Sequence, residues 1–371
     1  MPEQTTTADA ATNATPDFSQ KMVDILNYGA LNLAVGIGYR TGLFDVMDAF
    51  DDPRSVEAIA GAAGLDARYV TEWLGVMCTG GIVTVETAED GSPRYRLPRS
   101  HGDVLARRAG NGNLGVYAQE IPLLTLCALE KVVDGFRTGE GVPYAAYPRF
   151  QAFMTELANA KHRQVLVDQF LPTVDNGRMV DRLAAGLRVC DLGCGEGVAL
   201  ALMAEAFPNS RFTGIDMDPR VIEIAAERSA AAGLDNVVFR VGDVVALCDD
   251  GDIAESFDYI TAFDAIHDQQ DPLGALRTVR RMLAPNGCFS MIDIDSRTPH
   301  QANLDHPMGP FLYTVSLMHC MPVGRFAGGA GLGMMWGREQ ATALLAQAGF
   351  ESVAVVEMAH DPFNIHYFCR R

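Results

Sequence analysis

From residue 179 onward, short apolar runs alternate with stretches whose apolar positions recur at helical spacing. Residues 187–192, 211–215, 237–241, 257–262 and 288–294 read as strands. Residues 199–206, 219–232, 273–283 and 338–348 read as helices. The chain closes with two further strand-like runs, 352–358 and 365–369. Strand and helix in alternation predict an α/β fold, a parallel sheet covered on both faces.

The first hundred residues carry a different pattern. Leu31, Val35, Ile37 and Leu43 mark an apolar helix ending near Thr41-Gly42. Ser55 is placed to cap a short helix that Gly64 stops, and Asp66 to cap the next, where Val70, Trp73, Leu74 and Met77 share a face. Ile82-Val83-Thr84-Val85 and Arg94-Tyr95-Arg96-Leu97 then alternate like strands around a turn. Three helices and a two-stranded wing predict a winged helix. The expected organisation is a disordered tail over 1–17, a winged-helix dimerisation or packing domain over 18–102, a helical bridge and substrate lid over 103–178, and a cofactor-binding domain over 179–371.

Charge narrows the possible partners. With 371 residues, 48% hydrophobic, the chain has ample material for a core, but its net charge is -18. Such an acidic surface repels phosphate backbones, and the candidate recognition helix offers only Arg68 beside Glu72. We therefore expect no nucleic-acid partner. The eight cysteines are scattered, without CxxC pairs or zinc spacing, which predicts free thiols and no metal. The first residues lack the pattern of a secretion or transit signal, and no apolar run is long enough for a membrane span. The expectation is a cytoplasmic protein, and exposed apolar faces on the N-terminal module favour a homodimer.

The chemistry gathers at strand ends. Asp191-Leu192-Gly193-Cys194-Gly195-Glu196-Gly197 closes the first strand of the α/β region and opens its first helix. Glycines there permit a tight turn and close approach of a ligand to the backbone. Nicotinamide sites use similar loops, but Glu196 would repel a pyrophosphate and tolerate a cationic cofactor. Asp216 ends the second strand, where a carboxylate accepts from ribose hydroxyls. Asp243, after the third, can accept from an exocyclic amine.

In these residues the C-terminal half resembles the class I S-adenosylmethionine-dependent methyltransferases. With the winged helix in front, the chain is similar to two-domain small-molecule O-methyltransferases. The segments around 263–268, 316–322 and 331–337 resemble an actinobacterial-type branch of them. The resemblance implies a Rossmann-like sheet with an antiparallel last strand. It implies S-adenosylmethionine as cofactor, S-adenosylhomocysteine as product and a small-molecule methyl acceptor. Asp191, Gly193, Cys194, Gly195 and Gly197 would hold the cofactor from the loop, and Asp216, Met217, Asp243, Val244 and Phe263 from the later strand ends.

His267 follows the fourth strand, with Asp268 next to it. The resemblance makes it the general base that takes a proton from the acceptor, and Asp293 the carboxylate that orients it. Tyr144, Tyr147, His319 and Trp336 are the candidates for the acceptor pocket. Two positions depart from the family pattern. Its second orienting carboxylate falls on Met335, and a basic residue near the histidine is replaced by Phe263. Acceptors at N, S or C therefore stay open, as do a cofactor-binding regulator, a nicotinamide oxidoreductase and a relative that uses the sulfonium without moving a methyl.

Overall fold

The computed structural model describes residues 17–249 and 251–371, in two compact units, one ending at Pro122 and the other starting at Leu123. The tail expected over 1–17 lies outside the described residues except for Asp17, whose carboxylate accepts from Ser19 N–H and caps the first helix.

In the N-terminal unit, α1 (Phe18–Thr41) ends at Gly42, whose φ of 75° breaks the helix and starts α2 (Leu43–Asp48). α3 (Val56–Ala63) is capped by Ser55 and stopped by left-handed Gly64, as its sequence predicts. α4 (Ala67–Thr79) is capped by Asp66, which accepts from the N–H groups of Arg68 and Tyr69. The wing is β1 (Thr84–Thr87) paired antiparallel with β2 (Pro93–Arg96). Arg54 adds a bridge to Tyr95 that no periodicity announces, since one residue has no period. Trp73 anchors the unit. Its indole donates to Ala34 O at 2.9 Å and its ring meets Phe44 edge-on. α5 (Arg99–Leu105) follows the wing, and α6 (Glu120–Thr138) runs across the division between the units.

The C-terminal unit continues with α7 (Pro148–Val165) and α8 (Met179–Ala185). Its sheet contains β3 (Arg188–Leu192), β4 (Arg211–Asp216), β5 (Val237–Val241), β6 (Phe257–Phe263), β7 (Leu283–Ile294), β8 (Ser352–Glu357) and β9 (Asn364–Arg370). The order is β5-β4-β3-β6-β7-β9-β8, and β9 runs antiparallel to both neighbours. Helices α9 (Val198–Ala206), α10 (Pro219–Ala231) and α11 (Pro272–Met282) link the parallel strands. Between β7 and β8 lie α12 (Gly309–Val315), a π-helical turn (Ser316–Cys320), α13 (Met321–Arg325) and α14 (Gly337–Gln347). Among the described residues no helix is long and apolar enough to cross a membrane.

Alternation along the strands divides the core. Val189, Phe212 and Tyr259 pack on one face with Leu200, Met203 and Phe170. Cys190, Ile260, Phe289 and Met291 pack on the other with Leu276, Val279 and Leu345. β3 lies between β4 and β6, so the chain leaves its two sides in opposite directions. That reversal opens a crevice at the C-terminal ends of β3 and β6, where such sheets bind ligands.

Candidate active site

The 191–197 loop turns at that crevice. Gly193, Gly195 and Gly197 all have positive φ, at 69°, 52° and 72°. The three glycines serve different ends. A Cβ on Gly197 would lie 2.5 Å from the Phe239 ring, and one on Gly193 would lie 2.8 Å from Ala265. Both positions are therefore required by packing. A Cβ on Gly195 would meet no protein atom within 4 Å. Gly195 faces open space, as a cradle for a ligand requires.

Three carboxylates stand at the C-terminal ends of β3, β4 and β5. Asp191 is buried and accepts from Thr261 Oγ1 at 2.6 Å. Burial, aided by the charge of Asp216, pushes its carboxyl up to about 7 against that hydrogen bond. Asp216 accepts from Gly195 N–H and Asp218 N–H, both at 2.9 Å, so the second strand end holds the loop directly. Burial raises its carboxyl as well. Asp243 is exposed and accepts from Val245 N–H in the turn after β5. Met217 is largely exposed, while Val244 and Cys194 are buried in opposite core layers. Phe263 turns to the side of α7, where it meets the rings of His162 and Phe170. Glu196 is paired with Arg228. Its charge is thus largely met, and it discriminates against a pyrophosphate less than its place in the loop suggests.

His267 sits just past β6, in the segment that touches Gly193 through Ala265. Its ring is 3% exposed. Nδ1 lies 2.7 Å from Asp293 Oδ1, which also accepts from Ile294 N–H. Asp293 is fully buried near the end of β7, so the imidazole is held at a fixed angle. Nε2 lies 3.5 Å from Asp268 Oδ1, which is buried and has no hydrogen-bond partner. Burial opposes charge on the ring, but Asp293 and Asp268 outweigh it and hold His267 well above the usual imidazole range.

Beyond His267 the chain builds an aromatic wall. Tyr144, Tyr147 and Phe150 surround the His319 ring at centroid distances of 5.9, 4.8 and 4.8 Å. Tyr147 Oη donates to Met318 O, which holds that side chain in place. Burial lowers the His319 pKa, and its Nε2 has no partner. Trp336 lies apart from this wall, in the core layer with Ala341 and Leu345. Met335, where the family pattern calls for a carboxylate, is buried.

One grouping escapes any reading of spacing. The ligand atoms of His267, Asp268 and Cys320 lie within 4.8 Å of one another. Cys320 comes from the distant π-helical turn, so the search for zinc-like spacing could not find it.

A nucleoside-binding α/β sheet behind a winged helix is the class that this fold and crevice define. Residues 183–349 match the family model for a methyltransferase domain, and residues 29–107 that for an Rv2258c-like winged HTH domain. The chain thus joins a winged HTH domain to a methyltransferase domain. It is 33% identical over 123 residues to 27-O-demethylrifamycin SV methyltransferase of Amycolatopsis mediterranei, a match covering 31% of this chain and 44% of that one. It is 32% identical over 115 residues to ubiquinone biosynthesis O-methyltransferase of Xanthomonas axonopodis, covering 31% and 46%. The chain spans less than half the length of these curated relatives. Human N-acetylserotonin methyltransferase, solved with S-adenosylmethionine, superposes with a TM-score of 0.63 at 16% identity, over 97% of this chain and 99% of that one. An O-methyltransferase family protein from Burkholderia thailandensis gives 0.62 at 14%, over 96% and 99%. At these identities the likeness shows the fold.

Proposed function

We propose that this protein transfers a methyl group from S-adenosylmethionine to a hydroxyl of a small molecule, with His267 as general base. The observation that carries the reading is the buried His267–Asp293 pair beside the glycine cradle. The residues present suit the cofactor. Open space over Gly195 admits it, Asp216 and Asp243 offer acceptors for hydroxyl and amine donors, and Asp191 supplies negative charge near a cation. S-adenosylmethionine, when bound, supplies an electrophilic methyl group on a sulfonium.

The chain's own residues then do three things. The glycine loop and the carboxylates fix the cofactor's position, which is a large part of catalysis in an in-line displacement. Tyr144, the exposed member of an edge-on ring cluster with the buried Tyr147, Phe150 and His319, offers an aromatic face for the acceptor. Asp293 holds Nδ1–H of His267, which leaves Nε2 to take the hydroxyl proton. The ligand-free imidazole favours its charged form, so it must shed that proton first. Methyl transfer is expected to rise with pH through a limb above the usual imidazole value of ~6.5.

Met335, in place of a second orienting carboxylate, supports one rival, a cofactor-binding regulator that moves no methyl. We further infer a cytoplasmic homodimer without nucleic-acid partners. The decisive test is calorimetry with S-adenosylmethionine and its homocysteine product, followed by transfer of labelled methyl across a panel of hydroxyl acceptors. Gly195→Arg is expected to abolish binding. His267→Ala is expected to keep it and lose about 10²–10⁴-fold in turnover. Binding with no transfer to any acceptor would favour the regulator, and absence of binding would end both readings.

A further inference from the structure

We propose that His267, Asp268 and Cys320 form a binding site for a borderline-soft divalent cation of the Zn²⁺ class. The three residues offer an imidazole nitrogen, a carboxylate oxygen and a thiol sulfur within 4.8 Å of one another. A tetrahedral zinc shell, with bonds of about 2.0–2.3 Å, spaces its ligand atoms roughly 3.3–3.8 Å apart. The Nε2–Oδ1 separation of 3.5 Å already falls in that range, and the Cys320 sulfur lies within 4.8 Å of a ligand atom of each partner.

Three independent features point the same way. Asp293 accepts from Nδ1–H, which sets the tautomer that presents a lone pair at Nε2. Carboxylate–histidine pairs of this kind commonly stand behind metal ligands. Asp268 Oδ1 is buried and faces the same Nε2 at 3.5 Å, so carboxylate and imidazole converge on one point where a cation can replace the imidazole proton. The donor set also selects the ion. Thiolate and imidazole suit Zn²⁺ or Co²⁺, whereas Mg²⁺ and Ca²⁺ want oxygen alone. Three protein ligands leave a fourth position for water or a small molecule.

Binding releases two protons to solvent, one from the Cys320 thiol, which becomes a thiolate bonded to the ion, and one from Nε2 of the His267 imidazolium. The ion takes the Nε2 lone pair, so the metal-bound and proton-accepting forms of His267 are alternative states of one ring. The site itself does not depend on the methyltransferase reading.

Cobalt(II) is the probe. Full-length protein stripped with chelator and titrated with Co²⁺ is expected to develop, at one equivalent, a thiolate-to-cobalt charge-transfer band and visible bands of a tetrahedral ion. Zn²⁺ should then displace it. Cys320→Ser should lose the charge-transfer band, while Cys78→Ser, altered at a half-buried thiol of the N-terminal unit, should keep it. Asp293→Asn should keep the band and bind about 10–100-fold more weakly, which guards against a misfolded serine variant. No charge-transfer band in the wild type, or the same band in Cys320→Ser, would overturn the site. Loss of S-adenosylmethionine binding in calorimetry would instead count against the proposed function and leave the cobalt result standing.

Discussion

Asp191 carries an unusual load for one residue. It ends β3 inside the protein, with Thr261 as its hydrogen-bond donor and Asp216 as a nearby charge. In the unfolded chain its carboxyl ionises near 3.8, and in the folded chain near 7. Between those values the native state holds a proton that the unfolded state has released. Its contribution to stability is therefore full below about 4 and lost as pH rises through about 7. A cationic ligand favours the ionised form, so affinity for S-adenosylmethionine should climb from pH 5.5 to 7 and then level. Asp191→Asn should flatten that pH dependence, bind cofactor poorly, and melt higher than the wild type at pH 7.5 without ligand. Calorimetry and thermal melts across pH would check the pair of effects. A wild-type affinity that falls over that interval would contradict the assignment.

At the scale of elements, the N-terminal unit rests on close helix contacts rather than on propensity. A Cβ at Gly38 of α1 would lie 2.5 Å from the Trp73 ring and 2.8 Å from Phe44. Gly38→Ala is expected to cost about 1–3 kcal/mol through overpacking. Asp66→Ala removes the cap of α4 and should cost ~1 kcal/mol. Denaturant melts of the two single variants would show both losses, the glycine change the larger. These elements were largely legible beforehand. Ser55, Gly64 and Asp66 announce their helix ends because capping is a local interaction. The bridge at Arg54 was not legible, because a single bridge has no pattern.

For the whole molecule, two surfaces set expectations. α1 exposes Phe18, Ile25, Leu26 and Tyr28, more apolar side chain than a solvated helix normally shows. Sedimentation at micromolar concentration should give a dimer, and Leu26→Glu should shift it toward monomer while leaving cofactor affinity unchanged. A wild-type monomer would remove the homodimer from the proposal. The net charge of -18 argues against use of the winged helix on DNA. On α4, Arg68 is already paired with Glu72. Duplex DNA should produce no shift in a gel at physiological salt.

The sequence by itself determined the alternation of strand and helix, the glycine loop, the strand-end carboxylates and the winged helix. Each of these depends on neighbours in the chain, so periodicity and local chemistry reveal them. Only the tertiary structure decided which distant groups meet. It paired Arg228 with Glu196, which leaves the loop less repulsive to a pyrophosphate than its sequence implies. It gathered Tyr144, Tyr147 and His319 but left Trp336 in the core, because strand alternation and helix packing choose a side chain's direction. It gave the His267–Asp293 pair, implied by the family resemblance, its geometry, with Asp293 in β7 at 2.7 Å from the ring that follows β6. It brought Cys320 to the same imidazole from a π-helical turn whose place no spacing encodes.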